Sequence, residues 1–434
     1  GDGFMRSKKQ LSLLKTLKNN NIIILNGPAG TGKSATITEV IEVAKDLKLS
    51  VELMAPTGKA AKVQEEYTGL PASTIHRGLY YTKTGEVGKF ERESIDSDLL
   101  IIDEMSMTDI YLTYHIMKRL DFRKCKVIIV GDDAQLPSVG TGNMLHDLLK
   151  SKDIPKITLD TVYRYDDNGI MKAATDMRKG KEFLPSDLQE NDVFTLGDDN
   201  NYVFYQTSDD VLLAKTLCLY KALLEQGRDP EDIQVLTAYN SGKFGVDTLN
   251  RYFQWYANPW KEDDDVIKCE DWYYHVGDFV MNIKNIYNPC DEDGHILINE
   301  MIANGDSGYI TRIEKKDFWI DFNGRTYKMN QGALENMKLS YAITYHKSQG
   351  SSIQTPIIIT PASHQYMLNS NLMYVGASRA KKKLYHIGAA EVVNRCVHKH
   401  SNWTRSTNFK YMFNCEEEFL EQLLNKFTLN EKVA

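Results

Sequence analysis

The sequence contains no apolar run long enough to cross a membrane. Hydrophobic residues make up 42% of the 434 residues, yet no stretch approaches the roughly 18 to 20 consecutive apolar residues that a spanning helix needs. The first residues, Gly1-Asp2-Gly3-Phe4, have neither an initiator methionine nor the apolar region of a signal peptide. We therefore expect no membrane role, and we interpret these residues as an artificial extension or an internal start.

Paired cysteine spacing and an excess of basic residues are also missing. The six cysteines are scattered along the chain, which is typical of reduced thiols in a cytoplasmic protein. The formal net charge is −7, which argues against nonspecific electrostatic coating of nucleic acid but leaves room for a local basic groove. These features predict a cytoplasmic globular protein without disulfides.

Short apolar runs alternate with helical stretches in the first third of the chain, at 22–25, 51–54, 99–102 and 127–130. Such runs are typical of buried parallel strands joined by crossover helices. A helical stretch at 208–226 and a strand at 233–236 begin a second α/β unit. From about 272 to 330 the pattern changes to closely spaced alternating strands with turn residues. This change predicts a small β-barrel inserted into the second unit.

The most specific motif is Gly27-Pro28-Ala29-Gly30-Thr31-Gly32-Lys33-Ser34. It fits the pattern G-x-x-x-x-G-K-[ST] and stands directly after a predicted strand and before a helical stretch, the context that the motif requires. The glycines let backbone N–H groups turn toward phosphate oxygens, while Lys33 reaches the β and γ phosphates and Ser34 holds Mg²⁺. The motif therefore predicts a nucleoside triphosphate site.

Two acidic residues and a glutamine supply further chemistry at the ends of later strands. Asp103 follows an apolar run and is expected to hold Mg²⁺, usually through water, while Glu104 polarises the attacking water. Gln135 follows the next strand and can report the loss of the γ-phosphate. By themselves the two acids are as typical of a helix cap, and Gln135 of a turn. Together with the phosphate-binding loop they favour hydrolysis over transfer to another acceptor.

The order and wording of the motifs resemble superfamily 1 helicases of the RecD and Dda type, over about residues 10–388. Ala55-Pro56-Thr57-Gly58 and Ser73-Thr74-Ile75-His76 are similar to the family's first pair of DNA-contacting motifs. Tyr341-Ala342-Ile343-Thr344-Tyr345-His346-Lys347-Ser348-Gln349-Gly350-Ser351 is similar to its fifth motif, and Tyr374-Val375-Gly376-Ala377-Ser378-Arg379-Ala380 to its sixth. Asn304-Gly305-Asp306 also resembles a family signature.

The resemblance implies roles for individual residues. Arg164 and Arg379 would be arginine fingers that stabilise charge on the transferred phosphoryl group. Gln10 would read adenine, and Gly350 would also contact the nucleotide. Ser378 stands where the family commonly has threonine. The residues implied to contact DNA are Pro56, Thr57, Gly58, His76, Thr344, His346 and Lys347.

The resemblance also implies an α/β architecture of two RecA-like P-loop domains with an inserted small β-barrel and a short β-hairpin pin. The first domain is expected at 1–163, with the pin at about 78–97. The second is expected at 164–270 and 336–390, with the barrel at 271–335 and a C-terminal tail at 391–434.

The implied activity is that of an ATP-dependent DNA helicase, with Mg²⁺ as cofactor, that moves 5′ to 3′ on single-stranded DNA and separates duplex junctions. Only the resemblance implies this polarity. It also implies a monomeric motor in the cytoplasm of a bacterial or phage-infected cell, with replication or recombination proteins as further partners. Two alternatives stay open: a P-loop switch or kinase, and a noncatalytic DNA-binding subunit. RNA also stays open as a substrate.

Overall fold

The computed structural model describes residues 22–27, 33–46, 48–79, 92–104, 112, 115–116, 119–121, 124–132, 156–158, 168–270, 272–298 and 300–400. These residues fall into two compact units, the first formed by the described residues up to 158 and the second by those from 168 to 400. Among the described residues, we find no helix with both the length and the apolar character needed to cross a bilayer.

The first unit is built on a six-stranded parallel sheet in the order β3-β2-β4-β5-β1-β6. Its strands are β1 (Ile22–Asn26), β2 (Val51–Ala55), β3 (Ala72–Thr74), β4 (Leu99–Ile102), β5 (Lys126–Gly131) and β6 (Lys156–Thr158). Its helices are α1 (Lys33–Asp46), α2 (Gly58–Thr68) and α3 (Ile75–Leu79). The predicted parallel α/β character is confirmed.

Burial explains why β1, β4 and most of β5 are apolar. All four residues of β4 are buried, and Ile23, Ile24 and Leu25 of β1 have no exposed surface. A parallel sheet covered on both faces requires such runs rather than an alternating pattern. Polar or partly buried residues occur toward the strand ends and at the edge strand β3, as with Glu52, Lys126 and Ser73.

The second unit contains a six-stranded sheet in the order β20-β9-β21-β22-β8-β7, parallel except for the edge strand β7. Its strands are β7 (Val193–Leu196), β8 (Tyr202–Gln206), β9 (Val235–Thr237), β20 (Ala342–Thr344), β21 (Ile357–Thr360) and β22 (Leu384–Gly388). Its helices are α4 (Gly169–Lys179), α5 (Asp209–Glu225), α6 (Val246–Ala257), α7 (Tyr345–Ser348), α8 (Ser370–Ala377) and α9 (Ala390–Cys396), with 3₁₀ turns at Pro230–Asp232, Gln331–Asn336 and Ala362–His364.

Between β9 and β20 the chain forms an antiparallel sheet in the order β14-β18-β17-β16-β12-β19. Its strands are β12 (Phe279–Asn282), β14 (Cys290–Asp291), β16 (Ser307–Glu314), β17 (Asp317–Phe322), β18 (Arg325–Asn330) and β19 (Met337–Leu339). Two short ribbons accompany it, formed by β10 (Val266–Cys269) with β11 (Trp272–His275) and by β13 (Ile286–Tyr287) with β15 (Met301–Ile302). Along the chain, the antiparallel sheet thus lies between two strands of the parallel sheet, β9 and β20.

Buried side chains on α6 fix the two ends of this insertion. The Asn250 amide donates to the carbonyls of Leu339 and Ala342, and its oxygen accepts the N–H of Ala342 at 2.7 Å. The fully buried carboxylate of Asp278 accepts hydrogen bonds from Gln254 of α6 and from the Tyr341 hydroxyl, each at 2.9 Å. A single hydrophobic cluster continues from the parallel sheet into the antiparallel one.

Candidate nucleotide and nucleic-acid site

Lys33 is the first residue of α1, and its side chain lies at the edge of the sheet where β5 ends. Its Nζ atom lies 3.5 Å from the carbonyl oxygen of Gly131, the last residue of β5. The N–H of Gly27 donates to the same oxygen at 3.1 Å. One carbonyl therefore orients both ends of the predicted phosphate-binding loop. Residues 28–32 lie outside the described part of the chain.

Asp103 follows β4 directly, and both of its carboxylate oxygens accept hydrogen bonds. Oδ1 accepts the N–H of Glu104 at 2.8 Å, and Oδ2 accepts the hydroxyl of Tyr67 at 2.5 Å. The Asp103 N–H in turn donates to the carbonyl of Met54 in β2. Burial and the nearby Asp103 carboxylate raise the pKa of Tyr67 well above its ordinary value, so this hydroxyl keeps its proton and acts as a donor.

The backbone of Glu104 lies in the left-handed region, with φ at +53°. A residue with a Cβ atom pays roughly 1–2 kcal/mol for this conformation, and such strain concentrates at functional sites. The Asp103 carboxylate accepts the N–H of Glu104, which stabilises the turn. The predicted water-polarising residue is therefore placed by a strained backbone at the end of β4.

The first turn of α1 offers the second predicted metal ligand. Ser34 is exposed there. The hydroxyl of Thr38, one turn later, lies 2.8 Å from the carbonyl oxygen of Ser34 and 3.4 Å from that of Tyr67. A serine hydroxyl and an aspartate carboxylate are the hard oxygen ligands that Mg²⁺ prefers, so the donor set fits the ion.

Three threonines at strand ends cap the helices that follow them. Thr57 follows Pro56 and directly precedes Gly58, the first residue of α2. Its hydroxyl accepts the N–H of Ala60 at 3.1 Å. The Thr74 hydroxyl accepts the N–H of Arg77 at 3.1 Å and thereby caps α3, which contains His76.

The same arrangement recurs in the second unit at Thr344. Its hydroxyl accepts the N–H of Lys347 at 3.2 Å at the end of β20. His346 and Lys347 are exposed in the short helix α7. The predicted DNA-contacting residues thus stand at the carboxyl ends of parallel strands, where open α/β sheets bind their ligands.

Lys347 is held by a partner that lies in the antiparallel insertion. Its Nζ atom donates to Oδ1 of Asn304 at 2.7 Å, and the N–H of Asn304 donates to Oδ1 of Asn285 at the same distance. Although its side chain reaches the surface, desolvation of the ammonium group, and then repulsion from Lys338, lower the pKa of Lys347. Gly350, three residues later, has φ at +75° and occupies a turn that favours glycine.

The Arg379 guanidinium is buried within the second unit. Nε donates to the carbonyl of Val375 at 3.0 Å, Nη1 to that of Ser351 at 3.2 Å, and Nη2 to the hydroxyl of Ser378 at 3.1 Å. Arg379 is only 6% exposed. In this arrangement the predicted arginine finger connects the fifth and sixth motifs.

Within the predicted pin at about 78–97, Arg92 is hydrogen-bonded to the first two residues. The N–H of Arg92 donates to the carbonyl of Leu79 at 3.2 Å, and its guanidinium donates to the carbonyl of Gly78 at 3.0 Å. The same guanidinium forms a two-pronged ion pair with the Glu52 carboxylate. These contacts close the base of the segment, whose residues 80–91 lie outside the described part.

The remaining predicted site residues also lie outside the described part of the chain: Gln10, Pro28, Ala29, Gly30, Thr31, Gly32, Gln135 and Arg164. Three residues with clear contacts at the site were not predicted. Tyr67 and Asn285 carry no motif, and Gly131 acts through its carbonyl, which the sequence does not distinguish.

Two family models match the chain. An AAA domain matches residues 5–199, and a UvrD-like helicase C-terminal domain matches residues 339–387. The ATP-dependent RecD2 DNA helicase of Deinococcus radiodurans is 32% identical over 88% of this chain and 49% of its own length. The RecD subunit of the RecBCD enzyme of Buchnera aphidicola is 28% identical over 91% of this chain and 74% of its own.

The resemblance to RecD-type helicases of superfamily 1 is confirmed. The chain spans about half the length of the RecD2 relative. Among solved structures, a Pif1 helicase studied in unwinding of forked duplex DNA has a TM-score of 0.51 at 18% identity. The match covers 97% of this chain and 98% of that one, and it shows that the two chains share a fold.

Proposed function

We propose that this chain is an ATP-dependent DNA helicase that moves 5′ to 3′ on single-stranded DNA and separates duplex. The observation that carries the proposal is the set of Lys33, Asp103 and Glu104 at one edge of the first sheet, after β1 and β4. Lysine for phosphate, aspartate for metal and glutamate for water are the parts that nucleotide hydrolysis needs.

The nucleotide chemistry is assigned to the chain's own side chains. Lys33 would exchange its contact with the Gly131 carbonyl for the β and γ phosphates, because a charged phosphate oxygen is the stronger acceptor. Glu104 would orient and polarise the attacking water. Gln135 is assigned to sensing the γ-phosphate, and Arg164 and Arg379 to stabilising charge on the transferred group.

Ser34 and Asp103 would hold Mg²⁺. When bound, the ion neutralises charge that develops on the phosphate oxygens. The ordered Asp103 carboxylate supports this assignment, since both of its oxygens are oriented by hydrogen bonds. Gln10 and Gly350, with the residues of the phosphate-binding loop, complete the proposed nucleotide contacts.

The proposed DNA contacts are the threonine-capped turns. Hydroxyl groups and backbone N–H groups at such turns can donate to phosphate oxygens, which positions a strand without reading its bases. Lys347 adds a positive charge, and the His76 ring can stack on a base. Thr57 and Thr344 keep their hydroxyl hydrogens free to donate, because in the capping bonds their oxygens act as acceptors.

The finer architecture is proposed on the same basis. We assign the two α/β units as RecA-like domains with the predicted boundaries. We assign the antiparallel insertion as the predicted small β-barrel. The segment closed by Leu79 and Arg92 is assigned as the pin that parts the duplex. Single-stranded DNA, duplex junctions, and replication or recombination proteins are the proposed partners of a monomeric, cytoplasmic motor.

The first test is ATP turnover measured with and without single-stranded DNA, using Lys33→Ala as the inactive control. We expect DNA to stimulate turnover in the wild-type chain and the control to be inactive under both conditions. A wild-type rate indifferent to DNA contradicts the helicase proposal and favours a P-loop switch or kinase.

The second test is the polarity of unwinding. Duplexes tailed on either the 5′ or the 3′ side separate the two directions, and we expect unwinding of the 5′-tailed substrate. Preference for the 3′ tail contradicts the proposed polarity but leaves the helicase activity in place. The same duplexes with RNA tails of matched sequence test whether the chain requires DNA or also moves on RNA.

A further inference from the structure

Tyr67 is linked to both predicted ligands of the metal site, although it belongs to none of the motifs. Its hydroxyl donates to Oδ2 of Asp103 at 2.5 Å. Its carbonyl oxygen lies 3.4 Å from the Thr38 hydroxyl, which is 2.8 Å from the carbonyl oxygen of Ser34. Tyr67 is thus hydrogen-bonded directly to one predicted ligand and connected through one side chain to the other.

The hydrogen bond leaves the carboxylate able to bind a metal. A carboxylate oxygen has two acceptor positions, so Oδ2 can accept the Tyr67 hydroxyl and still bind Mg²⁺ or a water of its hydration shell. Oδ1 is oriented from the other side by the N–H of Glu104. The two donors together restrict rotation of the Asp103 side chain.

The helix that carries Tyr67 is capped at both ends. Thr57 caps the start of α2, and Gly69 ends it in the left-handed conformation, with φ at +70° and its N–H bonded to the carbonyl of Glu65. Capped ends suppress fraying. Tyr67, in the last turn, is therefore held on a fixed backbone and can impose a fixed direction on its partner.

We infer that Tyr67 is a positioning residue for the metal site: its hydroxyl holds the Asp103 carboxylate in the orientation that binds Mg²⁺ with the nucleotide. This inference rests on the proposed function. Groups that orient a metal ligand by a hydrogen bond typically change metal affinity by about 10- to 100-fold when they are removed. Tyr67 shares its bonded oxygen with the metal, so we expect the lower end of that range.

Tyr67→Phe tests the inference because it removes the hydroxyl and keeps the ring. Binding of the fluorescent probe N-methylanthraniloyl-ADP is titrated across Mg²⁺ concentrations and in EDTA, using the full chain. We expect the Mg²⁺ concentration that gives half of the metal-dependent gain in affinity to rise about 10-fold. Affinity in EDTA should match wild type. Tyr205→Phe, a partly buried tyrosine of the second unit, is the matched control.

Turnover separates positioning from a purely structural role. At saturating Mg²⁺ we expect the kcat of Tyr67→Phe to return close to the wild-type value, because the missing bond weakens retention of the metal and not the chemistry. An unchanged Mg²⁺ dependence, or a kcat lowered equally at every Mg²⁺ concentration, contradicts the inference. Failure of the wild-type chain to hydrolyse ATP contradicts the proposed function instead, so the two failures are distinguishable.

Discussion

Arg379 donates a hydrogen bond from Nη1 to the carbonyl oxygen of Ser351 at 3.2 Å. This bond joins the sixth motif to the residue that ends the fifth. The guanidinium is satisfied by acceptors of its own unit, so its use as an arginine finger requires an exchange of partners. A phosphate oxygen favours this exchange because its negative charge makes it a stronger acceptor for the guanidinium than a neutral carbonyl or hydroxyl oxygen.

Removal of the Arg379 side chain is expected to affect both rate and stability. We predict that Arg379→Ala lowers kcat for ATP by about 10³-fold or more. It also removes the guanidinium donor from the buried Ser351 carbonyl, at a cost of about 1–3 kcal/mol in the free energy of unfolding. Steady-state ATPase and urea titration measure the two effects. Arg395→Ala, at an exposed arginine of α9, is the control. Near-normal turnover by Arg379→Ala would show that it is no finger.

The ion pair at the base of the proposed pin gives a prediction that separates unwinding from hydrolysis. Arg92 and Glu52 are each roughly a fifth exposed in their side chains, so we discount the value of the pair to about 1 kcal/mol. A free energy of about 1 kcal/mol corresponds to a factor of roughly five. We therefore predict that Arg92→Ala lowers the rate of unwinding of a forked duplex roughly five-fold. Its DNA-stimulated ATPase rate should stay near the wild-type value. Arg312→Ala, at an exposed pair in the insertion, is the control. Equal losses in both assays would show that Arg92 supports the whole unit instead.

A buried histidine in the second unit predicts a pH-dependent stability. His386 bonds to the hydroxyls of Tyr202 and Thr360, and burial lowers its pKa from 6.5 to about 3. The unfolded chain therefore binds a proton that the folded chain does not between these values, and stability falls as the pH drops below about 6.5. The slope approaches about 1.4 kcal/mol per pH unit for one such group.

Urea unfolding followed by tryptophan fluorescence checks this slope between pH 7.5 and pH 5. We expect His386→Gln to flatten it, whereas His295→Gln, at an exposed position, should leave it unchanged. His364, whose pKa burial lowers to about 4, contributes in the same direction, so the slope should decrease in His386→Gln and not vanish. A wild-type slope retained in His386→Gln would contradict a neutral buried His386.

The contact between the fifth and sixth motifs depends on a glycine in α8. A Cβ atom added at Gly376 would lie 2.5 Å from Cε1 of the Tyr345 ring. That ring cannot easily move, because it is fully buried and its hydroxyl donates to the carbonyl of Ile359 at 2.8 Å. We predict that Gly376→Ala lowers the free energy of unfolding by about 1–3 kcal/mol. Gly332→Ala is the control, since only the Asn330 side chain, at 3.2 Å, lies near its added Cβ; equal effects of the two would contradict this packing.

Much of the fold was predictable because apolar runs report buried parallel strands directly. The phosphate-binding loop and the acidic pair could be placed at strand ends for the same reason. Tyr67 could not be predicted, because it lies 36 positions before Asp103 and a single tyrosine carries no periodic signal. The bond between Lys347 and Asn304 spans 43 positions and depends on the register of the insertion, which local patterns do not specify.

The orientation of Arg379 was unpredictable for a different reason. The motif implies what the guanidinium does with nucleotide bound, but the structure shows it bonded to Val375, Ser351 and Ser378. Both arrangements satisfy the same donors, so residue identity alone does not choose between them.

The continuous hydrophobic cluster of the second unit means that the antiparallel insertion is not a detachable module. Phe279 and Ile320 of the insertion belong to the same cluster as Val235 and Ile357 of the parallel sheet. Deleting the insertion would therefore uncover apolar surface on its host sheet. Any exchange of this insertion between relatives must carry its host-facing side chains with it, so the two sheets are constrained to evolve together.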